Sequence, residues 1–540
     1  MNLSLYLSAY ILILFSILGY GYIFYSCIDR SAKISVGYLG LYGIFLLIFI
    51  AYISNFITPH GKIFNMWVMG LGLFAFFVFL FKNFQYQKVN LLILFSIFFV
   101  LVFAILHAKT HDDFTYYHFP YIHHLTSESV IFGVGNFNHG YKTASSIFYL
   151  SSFFYLPKIE YSLIHLAPVF IMGFVNFELI NKIKTYLKDN NKNFIILLSL
   201  LSLTVINIFF YRLAEHGTDR SAQILVLLTV IEILFFLNFK SLETTYLNKI
   251  YILIALIISL KAFYILYVLL LIPIIISNKN KLKYFEGLLK NNFFYISVIF
   301  VFFVLLMHFV NTGCLLFPVA STCNNSIPWG VGSNAATALN NWYHLWSKAG
   351  ANPNFRINNP EEYLQGFNWV HNWTKDYFFN KVSDYILGIS FTVLIFFLLL
   401  KNSRNNLNFK RNYQILYFII LLIFFEWFYN HPALRYGGYH LIALIIFIPF
   451  SLYLEKYIDL KTFYKKICIV LFLILIVFIY RNVNRIYEET KIYNYNFLLN
   501  PSYNKQFTNY NLYKVIKDSK KIDSIKILGK NFLFFNKSIK

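Results

Sequence analysis

Long apolar runs recur from one end of this chain to the other, and no other feature constrains its fold as strongly. A run of about 17–25 apolar residues is long enough to cross a bilayer as a helix. The chain is 58% hydrophobic and only 13% charged, whereas a soluble domain carries about 25% charged residues. The sequence therefore predicts an all-α polytopic membrane protein with about 13–14 transmembrane helices, at residues 5–25, 36–57, 66–83, 91–107, 161–181, 194–212, 221–239, 250–277, 293–310, 384–400, 413–428, 438–455 and 467–480.

The distribution of lysine and arginine predicts the orientation of these spans. Short basic loops are typical of the cytoplasmic side, and they occur here at residues 26–35, 84–90, 182–193, 240–249, 278–292, 401–412 and 456–466. The less basic segments 108–160, 213–220, 311–383 and 429–437 are then outside. We interpret the formal net charge of +23 as basic loops facing anionic lipids, since the chain contains no nucleic-acid-binding module.

The alternation of sides requires the stretch 250–277 to cross twice, which favours two half-helices meeting at Lys261. A single tilted span is the alternative. Broken helices are tolerated at membrane depth where they line a cavity. We divide the chain into N-terminal membrane helices (1–90), a membrane core with large outer loops (91–480), and a small soluble tail (481–540). Within the tail, "SIKILGKNFLFF" alternates in polarity and could form a pair of strands.

Two of the four cysteines, Cys314 and Cys323, lie in one polar outer segment, "NTGCLLFPVASTCNNSIPWG". A disulfide between them is expected if the segment faces an oxidising compartment. The spacing alone does not fix a bridge, because two cysteines can pair only where their Cα atoms come close.

Two adjacent carboxylates, Asp112 and Asp113, follow the span 91–107 in "HDDFTYYHFPYIHHL". Adjacent carboxylates repel each other, so one is driven toward protonation unless a cation is near. Such a pair suits a general base or a hard cation, while the spacing of the nearby histidines matches no closed zinc site. The alternative is a hydrated helix start or an amphipathic helix on the lipid surface.

Charged residues also mark two other outer segments and the break at Lys261. The connector "AEHGTDR" carries Glu215, Asp219 and Arg220, and ionisable residues at span ends are usually functional or paired with each other. "HPALRYGG" carries Arg435. A guanidinium there can bind a phosphate or simply extend to the headgroups, and Lys261 has the same two interpretations.

The outer segment 311–383 carries five tryptophans, at positions 329, 342, 346, 369 and 373. They could stack on sugar rings or lie in the interfacial aromatic belt. The chain contains no Walker glycine loop, no GxSxG and no HExxH, so neither direct ATP hydrolysis nor the corresponding hydrolase chemistries are indicated.

The layout of residues 91–455 resembles the GT-C superfamily of membrane glycosyltransferases, which take a sugar from a polyprenyl-phosphate carrier at the outer face of the membrane. The resemblance is carried by "DDFTYYHFP" after a leading membrane helix, by an acidic residue in the next outer connector, and by "LRYGGYHLIALIIFIP" at the outer start of a late helix. Lys261 in a broken helix pair is similar as well. Three spans precede the acidic segment here, where the superfamily usually has one.

This resemblance implies a role for each candidate residue. Asp112 and Asp113 are expected as the catalytic base, and Glu215 and Asp219 as residues that orient the acceptor or hold a divalent cation. Binding of the donor phosphate is assigned to Arg435, Lys261 and Arg220. Lining of the cavity is assigned to Tyr116, Tyr117, His118 and Tyr436.

The implied partners are a lipid-phosphate sugar donor, a glycan or lipid acceptor and the membrane, with no nucleic acid. The segments "HDDFTYYHFP", "GTDRSAQ", "GCLLFP" and "HPALRYGGY" also resemble an uncharacterised family of large bacterial inner-membrane proteins. That second resemblance implies the location but no activity.

Two other functions are compatible with a polytopic chain of this kind. A glycan polymerase of the O-antigen type would rely on several outer arginines, and the outer segments contain mainly Arg220, Arg356 and Arg435. A transporter or flippase would show charges in the middle of its spans and repeated halves, whereas these spans are mostly uncharged and no repeat is evident.

Overall fold

The structure is a computed structural model that describes residues 1–28, 34–143, 145–187, 189–216, 218–239, 244–277, 286–352, 355–402, 410–458, 460–502, 522–527 and 530–535. Helices dominate it. Their bounds are Leu3–Ile28, Val36–Asn55, Lys62–Ile105, Phe119–Ser127, Ser146–Ser152, Ala167–Tyr186, Asn193–Phe209, Leu213–His216, Thr218–Phe239, Thr244–Leu260, Ile272–Ser277, Asn292–Thr312, Ser333–Lys348, Pro360–Leu364, Val370–Trp373, Ser383–Leu400, Gln414–Asn430, Gly438–Leu454 and Leu460–Tyr493.

Within these described ranges, eight helical stretches are long and apolar enough to cross a membrane: Leu3–Ile28, Val36–Asn55, Lys62–Ile105, Thr218–Phe239, Asn292–Thr312, Val370–Leu400, Gly438–Tyr457 and Thr462–Tyr493. Four shorter apolar helices accompany them, at Asn193–Phe209, Thr245–Leu260, Ala262–Ser277 and Gln414–Asn430. The chain is therefore an all-α polytopic protein with the composition of a multi-pass membrane protein.

The helices differ in how much of their apolar surface the protein itself covers. The most apolar window of Thr218–Phe239 is 83% buried, against 28% for Thr462–Tyr493. Helix Thr218–Phe239 thus lies at the centre of the bundle, whereas Thr462–Tyr493 presents its apolar surface to the surroundings. Helices Leu3–Ile28 and Lys62–Ile105 approach to backbone contact, because a Cβ on Gly19 would lie 1.8 Å from the carbonyl oxygen of Gly72. Small residues of this kind let membrane helices pack closely.

The spans predicted at 66–83 and 91–107 lie in one stretch with helical backbone throughout, Lys62–Ile105. This stretch folds back on itself, because the ring of Phe15 lies 4.6 Å from that of Phe76 and 5.6 Å from that of Phe95. A straight helix would place those two phenylalanines about 28 Å apart. The two predicted spans are therefore two helical arms packed side by side, and the segment 84–90 lies at the turn between them.

The stretch 250–277 is broken at Lys261, as the half-helix alternative expected. Helix Thr244–Leu260 ends there, and the backbone of Lys261 is extended, with φ −163° and ψ 141°. A 3-10 helix follows over Ala262–Leu271 and an α-helix over Ile272–Ser277. The break exposes the side chain of Lys261 at the end of an otherwise apolar helix.

The end of the chain departs from the boundary expected at residue 481. The predicted span 467–480 is part of a longer helix, Leu460–Tyr493, so the helix continues into the predicted tail. Further along, the predicted strand pair is confirmed: Ile522–Ile527 and Lys530–Phe535 pair antiparallel. The second strand contacts the outer segment 108–160, where the backbone N–H of Phe132 donates to the carbonyl oxygen of Leu533 at 3.0 Å.

Candidate functional site

The two adjacent carboxylates lie in different surroundings. Helix Lys62–Ile105 ends before them, and a π-helical turn, Phe114–His118, follows. This turn directs Asp113 inward and leaves Asp112 exposed. The carboxylate of Asp113 accepts from Arg435 Nη2 at 3.1 Å, and its Oδ2 lies 3.3 Å from Nδ1 of His111. Of the pair, Asp113 is thus the residue that contacts the other predicted charges.

Asp219 connects two of the three candidate phosphate-binding cations. It lies in the first turn of helix Thr218–Phe239 and is buried. Its Oδ2 accepts from Nε of Arg435 at 3.1 Å, and its Oδ1 accepts from Nζ of Lys261. Together Asp113, Asp219, Lys261 and Arg435 form one network of two carboxylates and two cations, which we call the ionic tetrad.

Arg435 is placed by a tight turn between two apolar helices. Leu434–Tyr436 forms a 3-10 turn before helix Gly438–Leu454, and Gly437 adopts φ +140°, a backbone conformation that favours glycine. The carbonyl oxygen of Arg435 accepts from Nε2 of buried Gln223 at 2.9 Å. The "RYGG" sequence thus produces a turn whose backbone is fixed to the helix that carries Asp219.

The ionic tetrad adjoins a cavity of about 570 Å³. Asp113, Lys261 and Arg435 line it, and so do Tyr117 and Tyr436. The lining comes from all four segments predicted to lie outside and from the break at Lys261. Residues far apart in sequence are therefore brought to one concave site. It is largely apolar with a few charged groups, as small-molecule sites commonly are.

Charge pairing sets the ionisation of Asp113. Burial alone would raise the pKa of its carboxyl, but the Arg435 guanidinium outweighs burial and holds the pKa below its usual range. Asp113 is therefore an anion at neutral pH. Burial lowers the pKa of His118 to about 3, so this imidazole is neutral beside the tetrad.

The segment 311–383, which we call the lid, closes one side of the cavity. Its helix Ser333–Lys348 contributes Trp342, Tyr343 and Trp346 to the lining. The guanidinium carbon of Arg435 lies 5.5 Å from the ring of Trp346 and 5.6 Å from that of Tyr436. Aromatic faces at this distance attract a cation, so both rings help to hold the guanidinium in place.

The start of the lid is closed by a disulfide between Cys314 and Cys323. The sequence alone did not decide whether this disulfide forms. The residues inside the loop that it closes, Leu316 to Val319, line the cavity. Trp369 and Trp373 are buried; Trp373 donates to the carbonyl oxygen of Pro432 at 2.9 Å, so these two rings pack inside the protein.

Several other predicted site residues lie away from the cavity lining. Tyr116 is 50% exposed, whereas His118 is buried and packs on Phe148. The guanidinium of Arg220 lies over the rings of Phe210 and Tyr439. Glu215 belongs to the short helix Leu213–His216, but its side chain lies outside the described residues.

A divalent cation was one of the roles considered for the carboxylates. Among the residues that the structure describes, no group of three or more histidine, cysteine, aspartate or glutamate side chains is placed to hold a metal ion. Both acids of the ionic tetrad are neutralised by protein cations instead.

Other polar residues of the cavity lining were not predicted from the sequence, among them Glu426, Asn430 and His431. Glu426 is the single acid in the predicted span 413–428, and ionisable residues within spans are usually functional. That signal was present, but the span was read only for its length and apolarity.

The fold and the cavity define the class: a multi-pass α-helical membrane protein with a charged, aromatic-walled site. The family described as "Domain of unknown function (DUF8201)" matches residues 3–442, and the chain belongs to this family. No curated protein and no solved structure shows significant similarity to it.

Proposed function

We propose that this protein is an integral membrane glycosyltransferase with a GT-C-like bundle of about 13–14 membrane helices. It would move a sugar from a polyprenyl-phosphate carrier to a cell-envelope acceptor at the outer face of a bacterial inner membrane. The observation that carries the proposal is the ionic tetrad. Three separate segments bring Asp113, Lys261 and Arg435 to one largely apolar cavity, and Asp219 from a fourth segment holds the two cations there.

The cations of the tetrad suit the phosphate of such a donor. The carboxylates of the tetrad contact Nε and Nη2 of Arg435, and Nη1 makes no hydrogen bond to the described residues. The Lys261 ammonium has three donors, one of which goes to Asp219. Both cations thus keep donors for a phosphate, and a guanidinium suits its oxygens especially well. The carboxylates hold the two cations in place when the site is empty.

The apolar part of the cavity suits the lipid part of the donor. The 3-10 helix after the break contributes Phe263, Ile265 and Leu266 to the lining, while Val268 of the same helix is 46% exposed. A prenyl chain could therefore lie along this helix with its phosphate at Lys261. Burial of apolar surface of this kind contributes roughly 25 cal/mol per Å².

In the proposed reaction an acceptor hydroxyl attacks the anomeric carbon and displaces the lipid phosphate with inversion. Arg435 and Lys261 would stabilise the charge that develops on the leaving phosphate. The sequence assigns the base to Asp112 or Asp113, and only Asp113 of the two lines the cavity. One carboxylate base is sufficient for this step because phosphate is a good leaving group.

The transporter alternative has one observation in its favour. Lys182 and Glu232 form a buried ion pair at 2.9 Å, and charges at membrane depth are typical of transport pathways. Tyr38 also donates to Glu232, so the pair is satisfied by protein groups. These residues do not line the described cavity, and we therefore favour the transferase.

Binding of polyprenyl phosphate to the purified full chain tests the proposal. We expect Arg435→Gln and Lys261→Gln each to weaken binding at least about tenfold, since a hydrogen bond to a charged group is worth about 1.5–3 kcal/mol. Arg356→Gln is the control, because Arg356 is an exposed lid residue outside the cavity lining. Equal affinity for polyprenyl phosphate and uncharged polyprenol, or unchanged affinity in both variants, would contradict phosphate recognition.

Transfer is the second measurement. The wild-type chain is incubated with a panel of labelled polyprenyl-phosphate hexoses and pentoses and with solubilised native membranes that lack this protein. We expect label to pass from at least one donor into membrane glycan or lipid, and Arg435→Gln to reduce it. Absence of transfer from every donor in the panel would contradict the proposed activity.

A further inference from the structure

Glu426 is a carboxylate in the same cavity that forms no ion pair with the residues that the structure describes. It lies on helix Gln414–Asn430 and lines the cavity. Its Oε1 accepts from Nδ2 of Asn430 at 3.0 Å. Its Oε2 is buried and has no hydrogen-bond partner among the described residues. Burying a carboxylate oxygen without a partner is costly, and such a group calls for a functional explanation.

His431 shares this property. It follows helix Gln414–Asn430 directly, lines the cavity, and has a buried Nδ1 without a hydrogen-bond partner among the described residues. Burial lowers its pKa to about 3, so the ring is neutral and offers one donor and one acceptor. We call Glu426, Asn430 and His431 the hydroxyl end of the cavity, because unfilled acceptors and neutral donors suit hydroxyl groups.

The hydroxyl end and the ionic tetrad are connected by one aromatic ring. The centroid of Tyr436 lies 4.5 Å from Nζ of Lys261 and 6.1 Å from the centroid of His431. In the described part of the chain no ion pair joins Glu426 to Lys261 or Arg435. The cavity thus has a cationic end, with Lys261 and Arg435, and the hydroxyl end defined above. Tyr436 contacts both ends.

Inversion requires the attacking hydroxyl and the leaving phosphate to lie on opposite faces of the sugar. Asp113 contacts Arg435 directly at 3.1 Å, so it lies on the side that the proposed function assigns to the phosphate. The same guanidinium lowers the pKa of Asp113 and makes it a weaker proton acceptor. A base on the opposite face must therefore come from elsewhere in the cavity.

We infer that Glu426, with Asn430 and His431, binds the attacking acceptor hydroxyl, and that Glu426 is the general base of the transfer. This inference rests on the proposed function. The hydroxyl O–H bond breaks and its proton passes to Oε2 of Glu426. The hydroxyl oxygen forms a bond to the anomeric carbon, and the bond from that carbon to the phosphate oxygen breaks with its electron pair leaving on the phosphate. Asp113 and Asp219 are then positioning residues that hold the two cations.

The test uses the full chain with the donor panel and membranes described above. Glu426→Gln keeps the shape of the side chain but does not take up a proton. We expect transfer to fall at least about 100-fold, the lower range for loss of a general base, while affinity for polyprenyl phosphate stays within about twofold, since no phosphate-binding cation is altered. Glu361→Gln, which alters an exposed acid of the lid, is expected to transfer like the wild type.

Azide separates a base from a structural residue. Azide attacks as an anion and needs no proton removed, so in Glu426→Ala it can replace the hydroxyl and leave a glycosyl azide of inverted configuration. We expect sodium azide to restore donor consumption in Glu426→Ala at least about tenfold, within the contribution of a general base, and to leave Arg435→Gln inactive.

The outcomes separate this inference from the proposed function. Full transfer by Glu426→Gln, or a loss that azide does not restore, overturns the base assignment and leaves the transferase standing. If Glu426→Gln transfers sugar normally but binds the donor more weakly, the hydroxyl end binds the donor sugar, and the assignment of Glu426 as the base is overturned as well. A wild-type chain that neither binds polyprenyl phosphate nor transfers any sugar overturns both.

Discussion

Asp219 is the residue that joins the two cations of the ionic tetrad. It is buried, and its two carboxylate oxygens contact Arg435 and Lys261. Both cations are partly exposed, Lys261 by 24% and Arg435 by 35% of the side chain, so removing Asp219 costs less than breaking a fully buried pair and is on the order of a charged hydrogen bond, about 1.5–3 kcal/mol. The stability of the site therefore depends on Asp219 more than on the exposed Asp112.

We predict that Asp219→Ala lowers the free energy of unfolding in detergent by about 1.5–3 kcal/mol. Asp112→Ala is the matched control, and we expect it to change that free energy by less than about 0.5 kcal/mol, as exposed substitutions usually do. Thermal unfolding followed by fluorescence measures both. Equal shifts of Tm in the two variants would show that the tetrad contributes no stability.

At this scale the sequence located four of the site residues, for a simple reason. Asp113, Asp219, Lys261 and Arg435 are charges at the ends of apolar helices, where charge is costly unless it is paired. The sequence did not show which residue of two adjacent charged residues points into the protein. Successive side chains on a helix differ in direction by about 100°, so Asp112 and Asp113, or Asp219 and Arg220, face different surroundings.

At the scale of elements, the long C-terminal helix holds the segment that leads to Asp113. Arg485 donates through Nη2 to the carbonyl oxygens of Phe103 and Leu106, each at 2.8 Å. Glu489 accepts from Nη1 of Arg485 at 3.1 Å and from the backbone N–H of Ala108 at 2.7 Å. These contacts satisfy backbone groups at the end of helix Lys62–Ile105, which have no partner within the helix.

We predict that Glu489→Ala destabilises the protein by about 3–5 kcal/mol, because it leaves Arg485 buried without its carboxylate. It should also weaken polyprenyl phosphate binding, since residues 106–108 lead directly to Asp113. Glu488→Ala is the control, because Glu488 is the exposed neighbour on the same helix. Unchanged Tm and unchanged affinity in Glu489→Ala would show that the contacts have no such role.

The sequence predicted most helices but not their connections. Apolar length identified the spans, and Lys261 marked the break in 250–277. The two spans within Lys62–Ile105 were also identified, since the contacts of Phe15 with Phe76 and Phe95 show two arms side by side. The continuation of the last helix to Tyr493 was missed because a polar stretch without helix breakers resembles a loop when only hydropathy is considered, and with it the contacts of Arg485 and Glu489 were missed.

At the scale of the whole molecule, two independent features agree on orientation. The cavity collects the segments 108–160, 213–220, 311–383 and 429–437, which the distribution of lysine and arginine places outside. The disulfide of the lid is typical of proteins in oxidising compartments. The remaining cysteines, Cys27 and Cys468, are not disulfide-bonded, and they lie in or just after the basic segments 26–35 and 456–466 that are predicted on the reducing side.

This orientation makes a prediction that depends on no assumption about activity. Cys27 and Cys468 are first replaced by serine. A single exposed cysteine is then introduced, either as Asn325→Cys in the lid or as Lys184→Cys in the last turn of helix Ala167–Tyr186. We expect a membrane-impermeant maleimide to label Asn325→Cys in intact cells and Lys184→Cys only after permeabilisation, because short basic loops stay on the cytoplasmic side.

Labelling of both positions from one side would contradict a bundle in which these residues lie at opposite ends, and reversed labelling would place the cavity in the cytoplasm. In the second case a donor presented at the outer face could not reach Arg435, so the same experiment decides from which side the substrate of this cavity must come.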